Sequence, residues 1–175
     1  MSGRAFEITT DEPPQAAVAL VLARREGALL LCRRSERFDD PWSGHWCLPG
    51  GRIDPGDADA SAAARRELRE ECGLQVDAPP LRALPRRLAG RAVGRPVVVA
   101  PYCWELPAAL PLVIDPREIA LARWVPLAEL RDPARRGAAE LARGRPGVLF
   151  PCIRLDGAPL WGFTYGVVQE LLEAE

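Results

Sequence analysis

The sequence predicts a mixed α/β fold on three observations. Val- and Leu-rich runs have strand length, helical segments alternate with them, and no glycine fingerprint of a dinucleotide-binding parallel sheet occurs. Residues 17–24 and 28–34 are apolar and flank Glu26-Gly27, which predicts a hairpin. Residues 35–45 contain Asp-Asp-Pro-Trp-Ser-Gly and read as a loop, and Trp46 to Leu48 predicts a short strand ending at Pro49-Gly50-Gly51. The next segment reads as a helix, capped by Asp57, Asp59 or Ser61 and closed by Gly73. Val97 to Leu106 and Arg123 to Pro126 read as strands, Leu127 to Arg131 opens a helix, and residues 167–173 form a last one.

Whole-chain properties narrow the function classes. At 175 residues and 48% hydrophobic, the chain fits one domain over 1–175, with residues 1–14 expected to be flexible. Charge is balanced, 23 basic residues (all Arg) against 24 acidic, which gives no drive toward nucleic acid or an anionic membrane. The five cysteines form no C-x-x-C pair, which argues against a zinc cluster. Four of them sit among apolar neighbours, so they are expected to pack as small hydrophobes in a reducing cytoplasm. The first 14 residues lack the apolar core of a signal peptide, and the longest apolar run, Ala16 to Ala23, is too short to span a bilayer.

The chemistry concentrates in Gly51 to Leu74, GRIDPGDADASAAARRELREECGL. At 100° per residue, Glu67, Glu70 and Glu71 share one face, while Ala64, Leu68 and Cys72 lie on the adjoining face, which is suited to burial. Such carboxylates repel by roughly 2 kcal/mol per pair at ~8 Å and an effective dielectric near 20. A hard divalent cation removes that penalty. The alternative is a solvated acidic face balanced by Arg65, Arg66 and Arg69. The Pro-Gly-Gly loop favours the cation, because it brings bare backbone close to the acidic face.

This segment resembles the Nudix box, G-x5-E-x7-R-E-U-x-E-E-x-G-U, where U is a bulky aliphatic residue. Its second half, Arg66 to Leu74, matches at every specified position. In the first half Asp57 replaces Glu, and eight residues rather than seven separate it from Arg66. That departure resembles the coenzyme A pyrophosphatase branch. So do Leu30-Leu31-Cys32-Arg33-Arg34-Ser35 and the stretch Leu160-Trp161-Gly162-Phe163-Thr164 with Gly166. The run Gly44 to Gly51 is looser, with Leu48 where the branch has Phe.

The resemblance implies an α/β/α sandwich around a mixed sheet and hydrolysis of a P–O–P bond with Mg²⁺ or Mn²⁺. It makes Glu67, Glu70 and Glu71 the metal ligands, with Glu67 and Glu70 also in the catalytic set, and offers the Gly50 carbonyl as a backbone ligand. Arg66 is expected to orient Glu67 and Asp57, and Glu118 to act as base or extra ligand. Arg33, Arg34, Gly50 and Gly51 are expected at the substrate phosphates. The implied substrate is a small nucleotide, foremost coenzyme A or acyl-coenzyme A. Nucleoside-diphosphate sugars, dinucleoside polyphosphates and damaged nucleotides are the runner-up, and a non-catalytic nucleotide sensor or an isomerase is a weaker reading. The oligomeric state stays open, a homodimer included.

Other residues have blander readings. His45 is the one histidine, and no nucleophile elbow accompanies it, so a loop position fits better than a catalytic triad. Trp42 and Trp46 suit either stacking on a base or burial. Arg82, Arg86, Arg87, Arg91 and Arg95 read first as a solvated loop, with the 3′-phosphate of coenzyme A as the alternative partner.

Overall fold

The computed structural model describes residues 9–38, 40, 42–91, 94–140 and 147–174. Strand β1 (Ala16–Ala23) lies at the centre of an eight-stranded sheet. It runs antiparallel to β2 (Ala28–Arg34) and to β4 (Gly50–Arg52), and parallel to β7 (Val97–Leu106). Strand β2 also pairs with β3 (Trp46–Cys47) and β8 (Ile119–Pro126), while β5 (Arg82–Ala83) and β6 (Arg87–Ala89) pair with β7. A second, antiparallel sheet holds β9 (Arg136–Glu140), β10 (Leu149–Leu155) and β11 (Ala158–Trp161). The helices are α1 (Ala60–Cys72), α2 (Leu127–Arg131) and α3 (Gly162–Ala174).

The two-residue period of a strand makes this a three-layer sandwich. Ala17, Ala19 and Val21 of β1 and Leu30 and Cys32 of β2 pack with Ala64, Leu68 and Cys72 of α1. The alternate residues Leu20, Leu22, Leu29 and Leu31 pack with Val167, Val168 and Leu171 of α3. Both sheet faces are covered, which is why the hairpin strands read as continuous apolar runs. Each fully buried leucine contributes about 1.5–3 kcal/mol. The indole of Trp46, 2% exposed, donates to the Leu155 carbonyl at 2.8 Å and joins the small sheet to the large one.

Most expected elements occur, and the differences have local causes. Strand β8 begins at Ile119, four residues before the expected start. Helix α3 begins at Gly162; Gly162, Thr164 and Gly166 depress helix propensity in its first turns and hid it. Strand β10 contains Pro151, which normally argues against a strand. It is tolerated because pairing with β11 starts only at Cys152, leaving β10 a neighbour on one side there. Of the expected flexible segment, residues 1–8 lie outside the described residues, whereas the Glu12 carbonyl accepts from Nη1 of Arg86 at 3.3 Å.

Among the described residues no disulfide joins the five cysteines, four of which are buried, and Sγ of Cys32 and Cys72 stand 3.2 Å apart between β2 and α1. Among the described residues no helix is long and apolar enough to cross a membrane.

Candidate active site

Helix α1 is fixed at both ends. The Asp59 carboxylate accepts from the Ala62 N–H at 2.8 Å, and Gly73, at φ 67°, ends the helix by donating to the Arg69 carbonyl at 2.9 Å. With Ala64, Leu68 and Cys72 facing the sheet, Glu71 is drawn inward as well and is 3% exposed.

The corner formed by Gly50 and Gly51 meets this helix. Gly50 has φ 152°, and a Cβ there would stand 2.4 Å from the Ala17 carbonyl oxygen and 2.7 Å from the Val18 Cα. Its N–H donates to Oε2 of Glu71 at 2.9 Å. A Cβ at Gly51 would stand 2.3 Å from Oε1 of Glu67. The two glycines therefore let main chain lie directly against two carboxylates.

Arg66 gathers the acidic groups around it. Its Nε and Nη2 donate to the two carboxylate oxygens of Asp57 at 3.0 and 3.1 Å, a bidentate pair. Nη1 reaches Glu67 at 2.9 Å and Glu70 at 3.0 Å, and Nη2 also reaches the Arg52 carbonyl at 3.0 Å. The hydrogen bonds from Arg66 hold the Asp57 carboxyl below its ordinary range. The extra residue between Asp57 and Arg66 offsets the shorter side chain, since the contact forms in full.

Carboxylate oxygens of Glu67, Glu71 and Glu118 all lie within 4.8 Å of one another. Glu118 arrives from the turn before β8, where the Asp115 carbonyl accepts from the Glu118 and Ile119 N–H groups at 3.0 and 2.8 Å. Burial pushes Glu71 up to about 8 and raises Glu67, with neighbouring carboxylates adding to both shifts. Three ionised groups this close repel by about 3 kcal/mol per pair at ~5 Å and an effective dielectric near 20. A buried acid that resists ionisation beside two others is a set of oxygen donors suited to a divalent cation.

Of the three expected ligands, Glu67 and Glu71 stand together with Glu118, while the Glu70 carboxylate accepts from Arg66. On a helix, position 70 lies 100° from position 71, so Glu71 faces the corner while Glu70 stays at the exposed edge.

A cleft of about 960 Å³ opens from the glycine corner across the α3 side of the sheet. Gly50, Gly51 and Arg34 are among its lining residues, and Glu67 and Glu71, which stand against the two glycines, are not. Arg34, half-buried, pairs with Asp40 at 2.8 Å. Arg33 donates its Nε to the Gly44 carbonyl at 3.1 Å and is not among the residues that line the cleft. Trp42, Phe150, Trp161 and Phe163 supply an aromatic side. His45 also lines the cleft; its Nδ1 accepts from the Trp161 indole at 3.1 Å, and burial lowers its pKa. Trp46 is core.

The cleft wall from Pro85 to Arg91 read in the sequence first as a solvated loop, and its meeting with the first turn of α3 was not expected. Their signal was present in the Arg-rich stretch and the Trp-Gly-Phe-Thr segment, but only the fold brings the two together.

A carboxylate-bearing helix against a glycine corner, inside an α/β/α sandwich, defines a Nudix-type domain. The NUDIX domain family model matches residues 13–144, and the chain belongs to that family. An uncharacterized protein of Schizosaccharomyces pombe is 30% identical over 150 residues, 72% of this chain and 46% of that protein. An RNA pyrophosphohydrolase of Rhodopseudomonas palustris is 38% identical over 92 residues, 47% of this chain and 51% of the other. A human mitochondrial coenzyme A diphosphatase is 44% identical over 66 residues, 37% of this chain and 28% of the other. The chain thus spans about half the length of these relatives or less.

Among solved structures, a MutT Nudix hydrolase of Burkholderia pseudomallei superposes with TM-score 0.54 at 25% identity, over 70% of this chain and 89% of that one. A Deinococcus radiodurans protein covers 97% of this chain and 89% of its own at TM-score 0.56 and 16% identity, which speaks to the fold alone.

Proposed function

We propose that this chain is a metal-dependent hydrolase that cleaves the pyrophosphate bond of coenzyme A or acyl-coenzyme A. The observation that carries the hydrolase reading is the trio Glu67, Glu71 and Glu118, two of which stand against a bare glycine corner that also lines the cleft. When bound there, Mg²⁺ or Mn²⁺ neutralises phosphate charge and acidifies water.

The chain's own residues divide the remaining work. Glu67 and Glu71 hold the cation, the first steadied by Arg66 and the second by the Gly50 N–H. Glu118, the exposed member of the trio, takes a proton on its carboxylate oxygen as water attacks phosphorus and the bridging P–O bond breaks. Gly50 and Gly51 leave room for phosphate oxygens, and Arg34 adds positive charge at the same end of the cleft. Glu70 acts through Arg66 alone.

Coenzyme A is favoured because both branch-like segments reach the cleft, through Arg34 in one and Trp161 to Thr164 with Gly166 in the other. The likeness to the coenzyme A diphosphatase supports the same choice. The likeness to an RNA pyrophosphohydrolase supports a second reading, a Nudix hydrolase of other nucleotides. Turnover of coenzyme A, ADP-ribose and a 5′-triphosphorylated RNA, measured side by side with Mg²⁺ and Mn²⁺, separates the two. Hydrolysis of either comparison substrate in preference to coenzyme A overturns the first.

A further inference from the structure

The chain that follows β2 is bonded to the turn carrying Glu118 through three consecutive carbonyls. The Ser35 hydroxyl donates to the Pro116 carbonyl at 2.9 Å, and Nη2 of Arg37 donates to the Arg117 carbonyl at 2.5 Å. The Ser35 N–H donates to the carbonyl of Glu118 itself at 2.8 Å. The proposed reaction uses Glu118 and gives no part to Ser35 or Arg37.

A β-bulge sets the direction of this end of β8. Arg33 pairs with Leu121 and Arg34 with Ile119, so Ala120 is the extra residue. Strict alternation would put Ile119 on the opposite face from Ala122 and Trp124, yet all three join the cluster packed with α1. Glu118 directly precedes this re-aimed strand end. Further back, the Val113 and Asp115 N–H groups donate to the Cys72 and Glu71 carbonyls at 2.9 and 3.3 Å, which ties the same segment to the end of α1. The Glu118 side chain is exposed, so its place beside Glu67 and Glu71 is set by the main chain that carries it rather than by packing. Helix α1 holds one end of that main chain, and Ser35 and Arg37 hold the other.

We infer that Ser35, assisted by Arg37, is a positioning residue whose hydroxyl holds the 116–118 main chain so that the Glu118 carboxylate stays beside those of Glu67 and Glu71. The inference rests on the proposed role of Glu118 as proton acceptor. It is separable from strand pairing, because any residue except proline would supply the N–H at position 35, whereas the bond to Pro116 requires a hydroxyl.

The test is built on Ser35→Ala, which removes that one donor and leaves the main-chain bond in place. Its metal-free melting temperature is expected to stay within about 4 °C of the wild type. With coenzyme A and Mn²⁺, kcat is expected to fall about fivefold or more while KM stays within about twofold. Ser35→Thr keeps the hydroxyl and is expected to recover kcat to within about twofold. In a Glu118→Gln background, Ser35→Ala is expected to cost less than about twofold, because the group it positions is already gone. An unchanged kcat, or an equal loss in both backgrounds, overturns the inference. Amide hydrogen exchange of the metal-free protein gives a readout independent of turnover. The Glu118 and Ile119 amides, which donate to the Asp115 carbonyl, are expected to exchange about fivefold faster in Ser35→Ala, with α1 unaffected. Unchanged exchange at those amides also overturns it. Should Glu118→Gln keep full activity, the role proposed for Glu118 fails, and the exchange rates alone decide whether Ser35 holds the turn.

Discussion

The main-chain N–H of Gly50 donates to Oε2 of Glu71 at 2.9 Å, which locks the glycine corner to a carboxylate that is 3% exposed. Burial holds that carboxyl up near 8, so in the metal-free protein it is largely neutral at physiological pH. Glu71→Gln is nearly isosteric with this neutral form. The variant is expected to keep its metal-free melting temperature while losing about 100-fold or more in kcat/KM and binding Mn²⁺ more weakly. Full activity in this variant would remove Glu71 from the metal site.

The trio ranks the acidic residues. Glu118→Gln is expected to lower kcat by about 100-fold or more, with thermal stability unchanged because the side chain is exposed. Glu70→Gln, which affects only a bond to Arg66, is expected to cost under about tenfold. Steady-state kinetics on the two variants checks the order, and a reversed order restores Glu70 to the site.

The two glycines separate stability from activity. An alanine at Gly50 strikes main-chain atoms of Ala17 and Val18 and is expected to destabilise by roughly 2–4 kcal/mol in denaturant unfolding. An alanine at Gly51 strikes only the carboxylate of Glu67, which can swing aside. That variant is expected to unfold within about 1 kcal/mol of the wild type and to lose metal affinity and turnover.

Arg66→Lys removes the forked geometry while keeping the charge. One ammonium cannot serve Asp57 bidentately together with Glu67, Glu70 and the Arg52 carbonyl. A drop of about 10–100-fold in kcat/KM is expected, with metal affinity falling in parallel.

Away from the site, Glu129 binds Arg123 through two hydrogen bonds at 3.1 and 2.9 Å, and that pairing lowers its pKa below the ordinary 4.5. The carboxylate is favoured in the folded state, so its contribution is present above pH 4.5 and is lost as pH falls through the lower folded value. Melting temperature measured from neutral pH downward is expected to fall less steeply in Glu129→Gln than in the wild type.

The chemistry of this fold is more legible in the sequence than its selectivity. Helix α1 writes out its cap, its buried stripe and its acidic stripe within one continuous segment, and the glycine corner is adjacent to it. Glu118 was visible only as a candidate, because its meeting with Glu67 and Glu71 depends on the pairing of β8 with β2 rather than on local pattern. That Glu71 rather than Glu70 is the buried acid was not legible, because a shared helical sector does not say which acid the core draws inward. Arg87 was visible as one of several arginines, but its seat was not, being made by Gly166 and Glu170, residues about eighty positions away that read locally as a weak helix start and a surface charge.

Strand β1 shows Ala17, Ala19 and Val21 to one side and Val18 to the other, and the main chain crosses between the two sides at Gly50 and Gly51. On the proposed reading, the groups that would hold the cation and the cleft that would hold the ligand lie on the two sides of one strand, so exchange of Val18 or Val97 is expected to alter ligand preference more than metal affinity.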